Sequence, residues 1–340
     1  MSSQVSIHFA DREARQFGVE DGQTVLDAAK AAGYPLVSQC QVGTCGTCVA
    51  TLHGGRAEMP NDRPLSLSET EIALGDRLLC QSTIHTPNAQ FEVHYPSSLL
   101  SANPTVQFRG KITAIRWIAS TVVELEFKLP KGFRFGFTPG QYCRIQVPDT
   151  DEWRSYSMAS AENERGKLTF LVRILPDGAM SNFLRDRAKP GMVLNLEGPQ
   201  GGFVLTPEAR PTILMAGGTG LAPMLSIMSR LRYVRPAAPK LLLLFGCVDA
   251  DQMFHLKELE DRQAYLPTLE VRAVLDDNSG MPELPQGNPV SALLESDLTP
   301  DSVAYLCGPP GMLHAAEEKL MALGMAHADI RAEQFLDSSN

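Results

Sequence analysis

The pattern of apolar and polar positions divides the chain into three segments, the first of which mixes strands with one helix. Apolar residues alternate with polar ones where strands are predicted, and they recur at helical spacing where the helix is predicted. The strands fall at residues 5–9, 49–52 and 91–93, and the helix falls at 24–32. Gly33 is a stop signal for that helix, and the Pro- and Ser-containing stretch 96–104 is the first predicted linker.

From Val106 to about Val204 the pattern changes to short β-rich runs that are separated by Pro and Gly turns. Strands at this spacing are typical of a small antiparallel barrel. They are predicted at 110–117, 122–129, 141–147, 167–174 and 193–197, with one helix at 181–187. Pro207 and Pro211 mark a second, weaker boundary.

From Thr212 onward, strands alternate with helices. The strands are predicted at 212–216, 240–246, 269–274 and 303–307, and the helices at 221–234, 255–264 and 312–323. The run 241–245 is continuously apolar, which is typical of a strand buried on both faces of a parallel sheet. The third segment is therefore predicted to be a doubly wound α/β domain. The chain as a whole is predicted to contain domains at 1–98, 105–206 and 207–340.

Composition excludes several classes of protein. The net charge of −9 disfavours nucleic-acid binding, which needs a basic face. No apolar run approaches the roughly 18 residues that span a bilayer, so we expect no membrane span. The first residues lack a basic region followed by an apolar core, so we expect no secretory signal. Seven cysteines without the pattern of a disulfide scaffold fit a reducing compartment, and we expect a cytoplasmic protein.

Four cysteines carry the strongest chemical signal: Cys40, Cys45, Cys48 and Cys80. Their spacing, C-x4-C-x2-C followed by a distant Cys, is the plant-type [2Fe–2S] pattern, in which four thiolates hold two irons. Glycines in the loop allow backbone N–H groups to converge on sulfur. A structural zinc site also uses four thiolates, but it usually comes as two short C-x2-C-like pairs. The spacing therefore favours a one-electron iron–sulfur centre over zinc.

The predicted barrel contains an R-x-Y-S string, formed by Arg154, Tyr156 and Ser157, that suits a flavin. A guanidinium can pair with a phosphate, and a tyrosine ring can stack on a flavin. The serine hydroxyl can reach an atom at the edge of the flavin. Alone, such a string in a barrel strand is weak evidence, because it also arises by chance.

A second motif follows about twenty residues later, where Gly178, Met180 and Ser181 lie at the start of a predicted helix. A glycine turn that opens a helix offers free N–H groups and a positive dipole end to a pyrophosphate. A simpler role for Ser181 is the N-cap of that helix. The order of the two motifs, between a cluster-binding segment and an α/β segment, strengthens both.

A glycine-rich turn links the first strand of the α/β segment to its first helix. It comprises Gly217, Gly218, Thr219 and Gly220, and Pro223 follows within the helix. A strand, a glycine turn and a helix in this order can seat the pyrophosphate of a dinucleotide. The spacing is not G-x-G-x-x-G, so it identifies a phosphate-binding turn and no more.

The sequence Cys307-Gly308-Pro309 ends another apolar strand of this segment. Ligands of open α/β sheets bind at the carboxyl ends of strands, so Cys307 can lie beside a nicotinamide. Alternatively, Cys307 is a small buried cysteine in a turn and has no role in binding. Cys143 and Cys247 are predicted to be core residues.

Together the three segments resemble the ferredoxin–NADP⁺ reductase superfamily fused to an N-terminal plant-type ferredoxin. They are most similar to reductase components of aromatic-ring-hydroxylating dioxygenases of the benzoate and anthranilate type, over essentially the whole chain. The resemblance implies a multidomain fold: a β-grasp-like α+β ferredoxin domain, an antiparallel β-barrel flavin domain and an α/β parallel-sheet NAD-binding domain.

The resemblance also implies cofactors and site residues. It implies that the [2Fe–2S] ligands are Cys40, Cys45, Cys48 and Cys80, that FAD is bound by Arg154, Tyr156, Ser157, Gly178, Met180 and Ser181, and that the nicotinamide nucleotide is bound by Gly217, Gly218, Thr219, Gly220, Pro223, Cys307, Gly308 and Pro309. Glu333-Gln334-Phe335 matches an E-x-F near the C-terminus of the family, whose aromatic residue lies near the flavin. Ser157, Cys307 and Phe335 are accordingly the expected catalytic residues.

The cofactors fix the expected order of electron flow. NADH gives two electrons at once and a [2Fe–2S] centre accepts one, so a flavin must stand between them. We expect electrons to pass from NADH to FAD, then to [2Fe–2S], and then to a separate terminal oxygenase. Reductases of soluble di-iron monooxygenases and of deoxysugar synthesis share this layout, and no motif separates them. The competing class, a non-enzymatic electron carrier or structural metal protein, would need neither a flavin barrel nor a nucleotide domain.

The loop 247–252 bears on the choice of nucleotide, because it follows the strand that ends near the adenosine ribose in such domains. It contains Asp249 and Asp251 and no basic residue before Lys257. A carboxylate suits a ribose 2′-OH, whereas a 2′-phosphate needs Arg or Lys. The sequence therefore predicts NADH over NADPH, with Asp249 at the ribose. Alternatively the two aspartates only cap the next helix.

Overall fold

The computed structural model describes residues 3–60, 66–160, 166–205, 209–234 and 239–335. The chain divides into two compact units. The first comprises Met1–Pro104 and Gln200–Glu208, and the second comprises Thr105–Pro199 and Ala209–Asn340. The boundary signal at Pro207 lies outside the described residues. The division into domains 1–98, 105–206 and 207–340 stays a prediction.

The first unit is a mixed sheet with a helix packed on it. Its elements are β1 (Ser3–His8), β2 (Ala14–Val19), α1 (Val25–Ala31), β3 (Val49–Gly54), β4 (Ala57–Glu58), α2 (Glu69–Ala73), β5 (Asp76–Leu78), β6 (Thr83–Ile84), β7 (Asn88–Glu92) and α3 (Leu99–Ala102). Five strands pair in the order β2-β1-β7-β3-β5, and β1 and β7 run parallel. The Thr24 side chain caps α1, which buries Val25, Leu26, Ala28 and Ala29. The predicted α+β ferredoxin fold is confirmed.

Several elements of this unit carry too little pattern to be predicted. In β2 only Phe17 and Val19 are buried, and β5 has three residues. The short helix α2 owes its start to a capping box, in which Glu71 accepts from the Ser68 backbone N–H at 2.6 Å while the Ser68 hydroxyl accepts from the Glu71 N–H at 3.3 Å. The predicted linker 96–104 contains α3. Pairing with neighbouring strands therefore fixes β2 and β5, whereas a local capping box fixes the start of α2.

The second unit begins with a six-stranded sheet. Its elements are β8 (Val106–Ala119), β9 (Val122–Lys128), β10 (Tyr142–Gln146), β11 (Trp153–Ser157), β12 (Lys167–Arg173), α4 (Ala179–Asp186) and β13 (Val193–Gln200). The strand order is β11-β10-β13-β8-β9-β12. Met158 forms an antiparallel bridge with Phe170, and the Ala159 N–H donates to the Thr169 carbonyl at 2.8 Å. These bonds join the two edge strands and close the predicted barrel.

A parallel sheet completes the second unit. Its elements are β14 (Thr212–Gly217), α5 (Leu221–Val234), β15 (Leu241–Cys247), α6 (Leu256–Tyr265), β16 (Leu269–Leu275), β17 (Val303–Gly308), α7 (Pro310–Ala322) and β18 (Ile330–Gln334). The strand order β16-β15-β14-β17-β18 is parallel throughout. Every residue of β15 is buried, as its apolar run predicts. The direction of strand order reverses between β14 and β17, and the carboxyl ends of these strands form a crevice suited to a ligand.

The edge strand β18 is not predicted by the sequence, since only Ile330 of its five residues is buried. It matters because it carries Glu333 next to β17. Within the described ranges, no helix is long and apolar enough to cross a membrane.

Charged side chains tie the barrel to the α/β part of this unit. His255 precedes α6 in the left-handed conformation, with φ of 60°. Its Nε2 lies 3.4 Å from a carboxylate oxygen of Glu124 on β9, and its Nδ1 lies 3.0 Å from one of Glu258 on α6. Burial lowers the pKa of His255, but the two carboxylates outweigh burial and raise the pKa to about 9. The imidazolium therefore links the two parts at neutral pH.

We expect His255→Gln to destabilise the second unit by at most about 3 kcal/mol at neutral pH, because a raised histidine pKa stabilises the folded state. This contribution is fully present below pH 6.5 and is lost as pH rises through about 9. Thermal unfolding of wild type and variant across pH 6–10 measures it. A melting-temperature difference that stays constant across that range would contradict the charged bridge.

Candidate functional site

The four cysteines of the predicted cluster come together in the first unit. Cys40, Cys45 and Cys48 lie in the loop between α1 and β3, and Cys80 follows β5. Cys40 and Cys45 are half-buried, whereas Cys48 and Cys80 are buried. A hydrogen bond from Cys45 lowers the pKa of the Cys40 thiol. A hydrogen bond from Cys48 likewise lowers the pKa of the Cys80 thiol. The thiols thus form two contacting pairs.

Donors from the loop converge on these sulfurs. The Val42 N–H lies 3.4 Å from Cys40 Sγ. Thr44 also hydrogen-bonds to Cys40, and Thr47 hydrogen-bonds to Cys45, each through its backbone and its side chain. The Gly43 N–H donates to Cys80. Gly43 makes this possible because its φ of 87° lies in the left-handed region.

The donor set fits two irons better than one zinc ion. A tetrahedral zinc site needs its ligands around a single point. Among the residues that the structure describes, no group of three or more His, Cys, Asp or Glu side chains is placed to hold one metal ion. A two-iron cluster instead takes two thiolates on each iron, and the two cysteine pairs match that requirement.

The R-x-Y-S motif lies on β11, the edge strand of the barrel. Arg154 and Tyr156 share one face of the strand, because side chains alternate along it. The Arg154 guanidinium pairs with the Glu152 carboxylate. Burial raises the pKa of the Tyr156 phenol, so the half-buried ring stays neutral and can stack on a flavin. Ser157 points to the opposite face and is buried.

The glycine turn before α4 has no room for a side chain at Gly178. Gly178 is the N-cap of this helix. The alternative role of Ser181 as N-cap is therefore wrong: Ser181 lies inside the helix, and its hydroxyl accepts from the Leu175 N–H at 2.9 Å. A Cβ at Gly178 would lie 2.9 Å from the Ser181 hydroxyl. Met180 is buried in the barrel core, so only its backbone faces outward at the helix start.

The nucleotide turn is pressed against the end of β17. Residues Gly218–Gly220 form a 3₁₀ turn between β14 and α5. A Cβ at Gly220 would lie 2.1 Å from the Cys307 carbonyl oxygen, and one at Gly217 would lie 2.9 Å from Met312 Sδ. Glycine is thus required for packing at this turn. Pro223 is buried in the first turn of α5, where proline is tolerated.

Ser157, Cys307 and Glu333 meet at the carboxyl edge of the parallel sheet. Cys307 on β17 is the register partner of Glu333 on β18. The Ser157 hydroxyl donates to a Glu333 carboxylate oxygen at 3.2 Å. The Phe335 N–H lies 3.4 Å from the Gly308 carbonyl oxygen, which places Phe335 at the same edge. The barrel strand that carries the R-x-Y-S motif therefore contacts β18, which pairs with β17 at this edge of the sheet.

Burial sets the protonation of this group. It raises the pKa of Glu333 to about 7, although the hydrogen bond from Ser157 partly opposes it. Burial, followed by the Glu333 charge, raises the pKa of Cys307 well above its usual value. Cys307 is therefore a neutral thiol and not a thiolate nucleophile.

The loop after β15 gives Asp249 a structural partner. Its carboxylate accepts from the Gln252 N–H at 3.0 Å and from the Gln252 side-chain amide at 3.2 Å. Asp249 thus caps the 3₁₀ turn Ala250–Gln252. The loop after β16 lies against it, because the Asp276 and Asp277 N–H groups donate to the Cys247 and Val248 carbonyls. Two further carboxylates therefore lie near the predicted ribose position.

Comparison with known proteins agrees with the three-part layout. Models of a 2Fe-2S iron-sulfur cluster binding domain, an oxidoreductase FAD-binding domain and an oxidoreductase NAD-binding domain match residues 8–85, 109–205 and 214–318. The anthranilate 1,2-dioxygenase electron transfer component of Acinetobacter baylyi is 33% identical over 100% of this chain and 99% of that protein. The toluate 1,2-dioxygenase electron transfer component of Pseudomonas putida is 31% identical over 100% of both chains. This chain belongs to the family of dioxygenase electron-transfer components.

Similarity extends beyond dioxygenase systems. The xylene/toluene monooxygenase electron transfer component of Pseudomonas putida is 31% identical over 94% of this reductase and 91% of that protein. The crystal structure of an Amycolatopsis cytochrome P450 reductase superposes with a TM-score of 0.72 and 26% identity, over 98% of this chain and 100% of that chain. The reductase binds [2Fe–2S], FAD and NAD, as the sequence predicts, and it is an NADH-dependent oxidoreductase.

Three features of the site escape the sequence. The sequence shows Glu333 only as part of an E-x-F match. It does not show the contact with Ser157, because the two residues lie 176 positions apart. Asp276 and Asp277 follow β16, and nothing in their spacing indicates that this loop meets the one after β15. Gln81 contacts the cluster loop from 40 residues away.

We expect Cys45→Ser to lose most of the cluster, since serine is a poor substitute for a thiolate on iron. NADH should still reduce a small dye that accepts electrons from flavin, while cytochrome c reduction collapses. Iron content, visible absorbance and the two assays measure these effects. Cys143→Ala, in the barrel core, is the matched control and should keep its cluster. Full cluster absorbance in Cys45→Ser would exclude Cys45 as a ligand.

Proposed function

We propose that this reductase takes electrons from NADH and delivers them to the separate terminal oxygenase of an aromatic-ring-hydroxylating dioxygenase system. The observation that carries the proposal is the contact between Ser157 on β11 and Glu333 on β18, at the carboxyl edge beside Cys307. It joins the strand that carries the R-x-Y-S motif to the carboxyl edge of the parallel sheet, within one compact unit. The full-length similarity to the anthranilate and toluate dioxygenase components supports an oxygenase as the acceptor.

The residues at the nucleotide crevice bind the nicotinamide nucleotide and orient it. The Gly217–Gly220 turn at the start of α5 offers N–H groups to a pyrophosphate, and Pro223 holds the first helical turn. The neutral Cys307 thiol, with Gly308 and Pro309 behind it, forms a surface for the nicotinamide. Together these residues would hold a nicotinamide at the end of β17.

The residues on the barrel hold the flavin. Arg154 can exchange its ion pair with Glu152 for one with a phosphate. The N–H groups of Ala179, Met180 and Ser181, at the start of α4, serve the pyrophosphate. Tyr156 would stack on the flavin, and Phe335, which follows β18, would cover it. When bound, the flavin accepts two electrons and passes them on singly.

Ser157 and Glu333 are the residues that would hold and transfer protons beside the flavin. The Ser157 hydroxyl, which donates to Glu333, can turn to an atom at the flavin edge. Because the pKa of Glu333 is about 7, its carboxyl can hold or release a proton at neutral pH. We assign Ser157, Cys307 and Phe335 as the catalytic residues and add Glu333 to them.

We also propose a cytoplasmic location. All seven cysteines are free thiols, including three outside the cluster site. A reducing compartment keeps such thiols from forming disulfides.

Product formation with purified oxygenases tests the proposed acceptor. NADH-driven turnover is measured with the oxygenase of an aromatic-ring dioxygenase and, separately, with that of a soluble di-iron monooxygenase. We expect the dioxygenase to reach its half-maximal rate at a lower concentration of the reductase than the monooxygenase needs. The similarity to the xylene/toluene monooxygenase electron transfer component supports a monooxygenase as the alternative acceptor. Turnover with the monooxygenase alone would replace the proposed acceptor.

We expect Arg154→Ala to weaken FAD binding roughly ten- to hundredfold, because a hydrogen bond to a charged group contributes on the order of 1.5–3 kcal/mol. Equilibrium binding of FAD to the flavin-depleted protein measures it. Arg109→Ala, which removes an exposed guanidinium from β8 of the same barrel, is the control and should bind FAD as the wild type does. Unchanged affinity in Arg154→Ala, or a preference for FMN, would overturn this role.

We expect kcat/KM to favour NADH over NADPH, since a 2′-phosphate would meet the carboxylates of Asp249, Asp276 and Asp277. Asp249→Ala should bring the two kcat/KM values closer together, because it weakens the binding of NADH and removes a negative charge that repels the 2′-phosphate of NADPH. Asp301 precedes β17 and so lies at the amino ends of the strands, away from this loop. The control Asp301→Ala should therefore leave the preference for NADH unchanged. Comparable kcat/KM for both nucleotides in the wild type would show that this loop does not read the ribose.

A further inference from the structure

Gln81 directly follows the distant cluster cysteine, and its side chain is only 7% exposed. Its amide nitrogen donates to the Cys80 carbonyl at 2.8 Å and to the Gln41 carbonyl at 3.0 Å. The same nitrogen also lies 3.5 Å from Cys80 Sγ, so one of its two hydrogens is shared between a carbonyl oxygen and the sulfur. One buried amide thus contacts a ligand sulfur and the loop that carries the other ligands.

The contact with Gln41 holds a strained point of that loop. Gln41 follows Cys40 and has φ of 58°, a left-handed conformation that a side chain disfavours. Its carbonyl is fixed by the Gln81 amide rather than by a strand or helix partner. Gln81 therefore joins the segment of the fourth cysteine to the loop just after the first.

We propose that Gln81 is a positioning residue that fixes Cys80 against the cluster loop and raises the reduction potential of the [2Fe–2S] centre. Reduction adds one negative charge, which the ligand sulfurs share. A donor to a ligand sulfur is therefore bound more strongly in the reduced state, and hydrogen bonds to sulfur are among the factors that set cluster potentials. The proposal rests on the cluster assignment and not on the identity of the oxygenase.

A side-chain donor can be removed without changing the backbone. The Gly43 backbone N–H also donates to Cys80, but no substitution removes that donor cleanly. Gln81→Met keeps the length of the side chain and removes its N–H groups. Gln81→Glu keeps the shape, replaces the donor with an acceptor and adds a negative charge.

The midpoint potential of the cluster is measured by anaerobic redox titration of the holoprotein, together with its iron and sulfide content. We expect Gln81→Met to lower the potential by about 59 mV, which is a tenfold change in the equilibrium of a one-electron couple. Gln81→Glu should lower it further. The control Gln90→Met, on the exposed side of β7, should leave the potential unchanged.

A titration reports only the molecules that carry a cluster, so partial loss does not hide the effect. Equal potentials in wild type and Gln81→Met would overturn the proposal. If neither Gln81 variant takes up a cluster even after reconstitution with iron and sulfide, Gln81 is needed only to build the site, and the tuning role is equally overturned.

Discussion

The packing of the Gly220 backbone on the Cys307 carbonyl is the constraint on which the catalytic unit depends. A side chain at Gly220 would lie 2.1 Å from that oxygen, so the nucleotide turn and the end of β17 can approach only through glycine. This contact lies at the point where strand order reverses, between β14 and β17. Through β18 the same edge holds Glu333, which Ser157 reaches from the barrel. The positions of the glycine turn, the end of β17 and the strand with the R-x-Y-S motif are thus set together.

The sequence predicts most of what is local. The cysteine spacing identifies the cluster, because plant-type ligands fall close together in one loop and need no distant partner except Cys80. Continuous apolar runs predict the parallel strands, since these are buried on both faces. The glycine turns are visible because only glycine tolerates such close approaches.

What the sequence does not predict depends on contacts between distant segments. The edge strand β18 is mostly polar and gains its identity from pairing with β17. Glu333 matters because folding places it opposite Cys307 and within 3.2 Å of Ser157. Ser181 has the residue type of an N-cap, yet Gly178 takes that place and the Ser181 hydroxyl binds the Leu175 N–H instead. Tertiary contacts assign the roles of β18 and Glu333, whereas the local turn before α4 assigns the role of Ser181.

The central claim is that one chain converts two-electron reduction by NADH into one-electron delivery through a [2Fe–2S] centre. Anaerobic titration of the holoprotein with NADH, followed by visible absorbance and by the paramagnetic signal of the reduced cluster, tests it most directly. We expect NADH to bleach both the flavin and the cluster, and we expect the paramagnetic signal of the reduced cluster to develop. If excess NADH reduced only the flavin, while a strong chemical reductant still reduced the cluster, the claim would be contradicted.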